Sequence, residues 1–163
     1  QYTEPKGIQL LDTRKTTPGL REFEKFAVHI GGGTNHRSNL SESIMIKDNH
    51  LIDNINIAEA TKEAKQKHLN IDIEIEVDTR EQLEEALNSS ATSILLDNFK
   101  PDKLKEIIAY IRSHPKGGNK YIELSGGITE KTLKDFCILG INGISMGALT
   151  HHIKSKDISL DIQ

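Results

Sequence analysis

The sequence predicts an α/β fold, an incomplete (β/α) barrel of parallel strands that is TIM-like. Apolar or alternating segments recur with helical patterns between them at roughly 20 to 35 residues per unit, which is typical of parallel strands joined by right-handed crossovers. Each such segment also ends in polar residues or glycine. An open sheet gathers ligand residues at one switch point, whereas every strand end of a barrel faces the same mouth, so these ends favour a barrel with its site there.

The predicted elements follow from periodicity and from their boundary residues. Six segments read as strands, namely residues 9–12, 44–46, 71–77, 93–96, 120–124 and 143–146. Five segments read as helices, namely residues 18–30, 56–69, 80–88, 101–113 and 130–139.

Caps support three of these helices. Pro18 and Pro101 fit the first helical position, where the missing N–H of proline costs nothing, and Gly31–Gly33 fit the end of the first helix. Thr79 followed by Gln82 is the pattern of a capping box, so a helix is expected to begin directly after Thr79.

Composition bounds the class of protein. The 163 residues fit one domain, 1–163, and the net charge of −3, with basic residues scattered along the chain, gives no footprint for nucleic acid or an anionic membrane. No run approaches the ~18 apolar residues of a membrane span, and no basic region followed by an apolar one marks a signal peptide. Cys137 lies in an apolar stretch and is expected to be a small buried residue, so we expect a cytoplasmic setting. Because the sequence opens with Gln1 rather than Met, we expect it to be part of a longer chain.

Basic residues gather after the first two predicted strands. They are Arg14, Lys15, His36, Arg37 and Lys47. Like charges are costly to bring together unless an anion neutralises them, and arginine offers a planar fork to carboxylate or phosphate. Isolated, solvated surface charges are the alternative, but placement at strand ends favours an anion site.

Two acids, Glu76 and Asp97, end neighbouring strands. Carboxylates at a barrel mouth can hold Mg²⁺ with water and a substrate phosphate, or can accept hydrogen bonds from sugar hydroxyls. The alternative is ion pairing with nearby lysines. Asp72, Glu74 and Asp78 crowd the same strand, so the pattern alone does not assign a role to each acid.

Glycines follow the last two predicted strands in "ELSGGI" at 123–128 and "ISMGAL" at 144–149. Glycine lets backbone N–H groups converge on an anion, and a helix beginning near Thr129 would add its positive end, which is the usual phosphate site of barrels. Simple turns before helices are the alternative. His151 and His152 lack a third ligand at zinc spacing, so no zinc site is predicted.

Six stretches together resemble the nicotinate-nucleotide pyrophosphorylase (carboxylating) family, also called quinolinate phosphoribosyltransferase. In order over residues 8 to 162, they are "LLDTRKTTPGLREFEKFAVHIGGGTNHR", "IMIKDNHL", "EIEVDTREQLEEAL", "ILLDNF", "ELSGGI" and "ISMGALTHHIKSKDISLDI". The resemblance implies an incomplete α/β barrel, Mg²⁺, and transfer of phosphoribosyl from phosphoribosyl pyrophosphate to quinolinate with decarboxylation. The products would be nicotinate mononucleotide, pyrophosphate and CO₂, in de novo NAD biosynthesis.

The resemblance also implies roles for individual residues. Arg14, His36, Arg37 and Lys47 match the residues that hold the two carboxylates of quinolinate, and Lys15 is expected to face phosphate or pyrophosphate. Glu76 and Asp97 match the acids that meet ribose hydroxyls and metal, and with Lys47 they are the residues predicted to be catalytic. The 5′-phosphate site is implied at Ser125, Gly126, Gly127 and Gly147, with His151 near it.

The family has an N-terminal domain that covers the active site of the other subunit in a homodimer, and no part of residues 1 to 163 matches that domain. Two other functions compete with the implied one. One is a phosphoribosyltransferase of the same fold with another acceptor, such as a nicotinate-specific enzyme or a relative associated with molybdenum transport. It would need fewer cations, because a monoacid carries less charge than a dicarboxylate. A non-catalytic barrel that binds a phosphorylated metabolite or serves dimerisation could dispense with Glu76 and Asp97.

Overall fold

The structure is a computed structural model that describes residues 2–50, 56–154 and 156–162, except for the side chain of Asp48. Its sheet has six strands in the order β1-β6-β5-β4-β3-β2, and each pairing is parallel. The strands are β1 (Gln9–Leu11), β2 (Ile44–Ile46), β3 (Ile73–Val77), β4 (Ser93–Asp97), β5 (Tyr121–Ser125) and β6 (Gly143–Ser145). All six predicted strands are therefore confirmed, with ends displaced by at most two residues.

The sheet is curved into an incomplete barrel whose two edges are β1 and β2. The segment after the first helix lies along the β1 edge, where the Thr34 N–H donates to the Leu10 carbonyl at 2.8 Å. The Asp12 N–H in turn donates to the Thr34 carbonyl at 3.2 Å, which makes one parallel bridge between Leu11 and Thr34. The "GGGTNHR" segment thereby enters the gap between the two edge strands.

The helices cover the outside of the sheet. They are α1 (Arg21–Ile30), α2 (Ile57–Lys67), α3 (Arg80–Asn88), α4 (Pro101–Ser113), α5 (Leu133–Phe136) and α6 (Ala148–His151), with short 3-10 turns at Glu4–Lys6 and Asp48–His50. The predictions for 80–88 and 101–113 are confirmed residue for residue, and that for 56–69 is confirmed within two residues at its end. Thr79 caps α3 in a complete capping box.

The predicted beginning of the first helix at Pro18 is wrong. Pro18 and Gly19 instead occupy the centre of a turn that the Leu20 N–H closes on the Thr17 carbonyl at 3.0 Å. Gly19 has φ 78°, a left-handed conformation that a helix does not accommodate, so α1 begins only at Arg21.

Of the predicted helix 130–139 only the single turn of α5 is helical. The expectation that a helix begins near Thr129 is therefore also wrong. The Thr129 N–H donates to the Thr132 hydroxyl at 3.0 Å, and the Thr132 N–H donates to the Thr129 carbonyl at 3.1 Å. Threonine hydroxyls that bind nearby backbone compete with helix formation, which explains the turn. The short α6 was not predicted.

Side chains on the two faces of the sheet differ in polarity. Alternate residues that face the helices are fully buried and aliphatic: Ile73, Ile75, Ile94, Leu96, Ile122, Leu124 and Ile144. Their neighbours point to the barrel interior and are mostly polar: Glu74, Glu76, Asp97, Glu123, Ser125 and Ser145. The outer face packs with helix residues such as Leu83 and Leu104 into the core, while the inner face is left for a site.

Among the described residues there is no helix with the length and apolar character that a membrane crossing requires. Cys137 is buried, as expected, and burial raises the pKa of its thiol.

Candidate functional site

A cavity of about 240 Å³ opens at the carboxyl ends of the strands. Eight of the residues predicted from the sequence line it together: Arg14, Lys15, His36, Arg37, Lys47, Glu76, Asp97 and Ser125. Residues that are far apart in the chain, at the carboxyl ends of β3, β4 and β5 and in the segments after β1, α1 and β2, therefore converge on one space, as the barrel prediction required.

The other four predicted residues lie at the glycine turns beyond β5 and β6. Gly126 and Gly127 follow β5 with φ 98° and 61°, and a Cβ on Gly126 would approach the Asn98 Oδ1 to 2.3 Å. Gly147 precedes α6, and a Cβ there would approach the Nε2 of His151 to 2.4 Å, so the imidazole lies directly over this glycine. The Cβ positions of Gly126 and Gly147 are thus taken by Asn98 and His151, so only glycine fits at either place.

Arg14 and Arg37 are the two arginines of this cavity. Arg37 donates through Nη1 to the Ser43 carbonyl at 3.0 Å, and its pKa is lowered by burial and by the charge of Arg14, against a smaller opposing effect of Glu74. Within the described part of the chain, Nε of Arg14 is a buried nitrogen with no hydrogen-bond partner. A buried donor without an acceptor is costly, so this arrangement fits an anion receptor.

Lys47 and Glu76 form an ion pair between their Nζ and Oε2 atoms. The ion pairing that was the alternative for Glu76 is thus present. Asp97, on the next strand, accepts a hydrogen bond from the side chain of Asn98 at 2.5 Å. Asn98 itself has φ 58°, the left-handed conformation that asparagine tolerates better than most residues.

His36 lies above two buried carboxylates in the barrel interior. Its Nε2 is 3.4 Å from an oxygen of Glu74 and 3.4 Å from an oxygen of Glu123, and the Ser145 hydroxyl donates to the other oxygen of Glu123. Burial opposes a charge on His36, but hydrogen bonds with Glu123 and Glu74 outweigh it and raise the pKa of His36 to about 10. Burial also raises the pKa of Glu74.

The raised pKa of His36 means that its imidazole is favoured in the protonated form near neutral pH, beside the two carboxylates. The Arg37 N–H donates to Nδ1 of His36 at 2.8 Å, and an acceptor at Nδ1 must keep its lone pair. In the neutral ring the proton therefore lies on Nε2, and the second proton, which the raised pKa of His36 favours, goes to Nδ1.

Two sets of residues offer ligand atoms for a metal. Glu76 and Asp97 supply carboxylate oxygens to one cavity, and oxygen donors beside space for a phosphate suit Mg²⁺. Among the described residues, His36, Glu74 and Glu123 form the group of three whose ligand atoms lie within 4.8 Å of one another, and the hydrogen bonds described above already account for it.

The sequence reasoning missed several residues that build the cavity. They are Asp12, Lys25, Asn35, Glu123 and Ser145, which hold one another and His36 through hydrogen bonds. Glu123 and Ser145 carried a detectable signal, because each is a polar residue at an inward position of an alternating strand. Lys25 carried none, since a lysine in an amphipathic helix is normally exposed.

Comparisons with known proteins agree on one family. A family model described as the C-terminal domain of quinolinate phosphoribosyl transferase matches residues 1–161. A probable nicotinate-nucleotide pyrophosphorylase [carboxylating] of Bacillus subtilis is 47% identical over 157 residues, which is 95% of this chain and 52% of that protein. The nicotinate-nucleotide pyrophosphorylase [carboxylating] of Dictyostelium discoideum is 40% identical over 165 residues, which is 100% of this chain and 54% of that protein.

Solved structures match equally well. The nicotinate-nucleotide pyrophosphorylase of Ehrlichia chaffeensis superposes with a TM-score of 0.89 at 34% identity, covering 99% of this chain and 57% of that chain. The protein of the same name from Francisella tularensis gives a TM-score of 0.85 at 36% identity, covering 94% and 53%. The chain thus spans about half the length of the relatives it matches.

Proposed function

The chain belongs to the family of quinolinate phosphoribosyl transferase C-terminal domains, and on that premise we propose that it carries the catalytic barrel of a pentosyltransferase. The reaction is transfer of phosphoribosyl from phosphoribosyl pyrophosphate to quinolinate with decarboxylation, which gives nicotinate mononucleotide, pyrophosphate and CO₂. The activity of the relatives resides in chains almost twice as long, so the proposal concerns the protein to which this domain belongs.

One observation carries the proposal above the others. The cavity places Arg14, Lys15, Arg37 and Lys47 around one space, and the buried Nε of Arg14 lacks an acceptor. A cluster of cations with an unused buried donor is complementary to a dianion, and quinolinate carries two carboxylates on adjacent ring carbons.

The remaining residues of the cavity fit the sugar phosphate. Ser125 lines the cavity, Gly126 and Gly127 follow it, and Gly147 lies at the next strand end, and glycine turns of this kind let backbone N–H groups converge on an anion. We place the 5′-phosphate there, with His151 beside Gly147. Glu76 and Asp97 lie on β3 and β4, between the β5 turn and Lys47 after β2, and are suited to the ribose hydroxyls.

The proposed chemistry begins when the pyridine nitrogen of quinolinate attacks C1 of the ribose and the C1–O bond to pyrophosphate breaks. Positive charge develops at C1, and the carboxylates of Glu76 and Asp97 stabilise it. Lys47, released from Glu76, balances charge on the anionic substrates. Glu76 and Asp97 would hold Mg²⁺ through their carboxylate oxygens, and the metal would supply positive charge to the pyrophosphate as it leaves.

Decarboxylation follows from the ring charge created in the first step. The bond between C2 and its carboxylate breaks, CO₂ leaves, and the electron pair stays on C2 beside the positive ring nitrogen until a proton is taken up. The cations of Arg14 and Arg37 hold the second carboxylate, so the ring stays oriented during this step. We further propose a homodimer acting in the cytoplasm, without nucleic acid or membrane partners.

Isothermal titration of the protein as it is encoded tests the acceptor. Quinolinate is expected to bind more tightly than nicotinate, because a monoacid uses only part of the cation cluster. Arg37→Ala should weaken the binding of quinolinate by about tenfold or more, as expected for loss of a charge-assisted hydrogen bond. Arg80→Ala, whose guanidinium stacks on Tyr110 outside the cavity, is the matched control and should bind like the unchanged protein.

The same preparations assayed for nicotinate mononucleotide with and without Mg²⁺ test the reaction itself. Product that depends on both quinolinate and metal supports the transferase. Binding of nicotinate at least as tight as quinolinate would contradict the proposed acceptor, and phosphate-ester binding without turnover would favour the non-catalytic barrel.

A further inference from the structure

Lys25 is a buried cation on an outer helix, and the function proposed above does not use it. It lies in α1, and only 3% of its surface is exposed. Its Nζ donates to Oδ1 of Asp12 at 2.6 Å, and Asp12 is completely buried directly after β1. A buried ion pair contributes little net stability compared with apolar packing, so its presence here calls for another role.

Both charged side chains of the pair form hydrogen bonds with one short segment, residues 35–36. Lys25 Nζ also donates to the His36 carbonyl at 2.8 Å, and the His36 N–H donates to Oδ1 of Asp12 at 2.8 Å. The Asn35 side chain donates to Oδ2 of Asp12 at 2.7 Å and to the Lys25 carbonyl at 2.8 Å. Both backbone polar groups of His36 are therefore fixed by the two charges.

The ring of His36 is held as well. Nδ1 accepts from the Arg37 N–H, and Nε2 faces Glu74 and Glu123. Every polar atom of residue 36 is thus used inside the protein, and the orientation of the next residue, Arg37, follows from it. Arg37 is one of the two arginines of the cation cluster, and the other, Arg14, is two residues after Asp12.

We propose that Asp12, Lys25 and Asn35 are positioning residues of the dicarboxylate receptor: the buried Asp12–Lys25 pair, with Asn35, fixes the His36 backbone so that Arg37 is presented beside Arg14. None of the three residues needs to touch the ligand. The arrangement joins β1, α1 and the segment that enters the gap of the barrel, so the two arginines are set by one unit rather than by independent loops. This inference rests on the proposed function, because it assigns the receptor to quinolinate.

A matched pair of substitutions tests it. Lys120 is also a buried lysine, 9% exposed, but its Nζ donates to the Ala91 carbonyl at 2.6 Å, at the amino ends of the strands. Lys25→Met and Lys120→Met remove the same charge from opposite ends of the barrel. Each is titrated with quinolinate and with pyrophosphate, and its melting temperature is measured.

Lys25→Met is expected to weaken the affinity for quinolinate by about tenfold or more. The affinity for pyrophosphate should stay within about twofold, because only the placement of the two arginines is disturbed. Lys120→Met should leave both affinities within about twofold, even if its melting temperature falls. A Lys25→Met protein that is folded and binds quinolinate normally, or that loses both ligands in equal proportion, would overturn the inference.

Asn35→Ser keeps the inference testable if Lys25→Met does not fold. It removes the two amide hydrogen bonds and leaves the ion pair, and a weakening of quinolinate by about threefold to tenfold is expected, again with pyrophosphate unchanged. Normal quinolinate binding in Asn35→Ser, together with normal binding in any folded Lys25 variant, contradicts the role. Absence of quinolinate binding in the unchanged protein would instead overturn the proposed function, and with it the ligand assigned here.

Discussion

At the scale of single residues, burial decides the chemistry of the barrel interior. Glu123 is 2% exposed, and its two oxygens receive the Ser145 hydroxyl and face His36. A carboxylate in such a place must be paired or protonated, because an isolated buried charge is very costly. The raised pKa of His36 beside the two glutamates is therefore a property of the folded cluster, and it predicts a pH dependence.

Stability should fall as pH rises toward 10, because the folded state holds the proton of His36 more tightly than the unfolded chain. The pKa of His36 is raised from 6.5 to about 10, so the stabilisation is complete below about pH 6.5 and lost as pH rises through about 10. Glu123→Gln removes a main cause of the shift, so its free energy of unfolding should vary less over this range. Urea denaturation at several pH values measures both slopes.

Glu63→Gln serves as the control for that experiment, since Glu63 forms a surface pair with Lys67 at 2.6 Å. Its slope over the same pH range should match that of the unchanged protein. Equal slopes in all three proteins would show that the interior cluster does not titrate as described.

Gly126 and Gly127 permit a second comparison at this scale. Both have positive φ, but a Cβ on Gly126 would lie 2.6 Å from the Asn98 nitrogen, whereas a Cβ on Gly127 would meet nothing within 4 Å. Gly127→Ala should cost about 1 kcal/mol of conformational strain, and Gly126→Ala about 2–4 kcal/mol, because the backbone must also move. Thermal denaturation measures the difference, and equal costs would mean that the turn relaxes without penalty.

At the scale of elements, α1 shows that a helical pattern does not fix which face is buried. The helix exposes Phe23, Phe26 and Ile30 at 72%, 63% and 69%, while Lys25 is turned to the barrel. The charge of Asp12 attracts Lys25 inward, and no pattern of apolar spacing contains that information. By contrast, the boundary of α3 was predictable because its signal is local.

The capping box of α3 predicts a measurable cost. The Thr79 hydroxyl accepts the Gln82 N–H at 3.2 Å, and the Gln82 side chain accepts the Thr79 N–H at 3.3 Å. Thr79→Ala should lower the free energy of unfolding by about 1 kcal/mol, since one N–H at the helix end loses its partner. Thr79→Ser keeps the hydroxyl and should change stability by only a few tenths of that amount. Urea denaturation distinguishes the two, and equal losses would contradict the cap.

At the scale of the whole molecule, the open sheet gives the strands unequal protection. β4 is paired on both sides, whereas β1 and β2 are three-residue edge strands, each hydrogen-bonded to one neighbouring strand. Amide hydrogens exchange when the segment around them opens. The free energy of that opening ranges from near zero at frayed segments up to the global stability in the core. The barrel should therefore open first along the gap that Thr34 enters.

Hydrogen exchange measured residue by residue tests this expectation. Amides of β3, β4 and β5 should exchange with the global unfolding, and those of β1 and β2 should exchange at least about tenfold faster through local opening. Ligand should slow exchange at the end of β1, because Arg14 and Arg37 become engaged on both sides of the gap. Equal protection of edge and central strands would indicate that another surface closes the gap in solution.

The sequence by itself determined the α/β class, the six strands and the residues at their ends, because alternation, caps and strand-end polarity are local signals. Only the tertiary structure decided which charges are buried and which partner each one takes. Asp12 meets Lys25 within the first β–α unit, across 13 residues, whereas Glu123 meets His36 across 87 residues because the curved sheet brings both into the barrel interior. Electrostatic energy depends on those distances and on burial, so the geometry of the receptor arises only when the barrel forms.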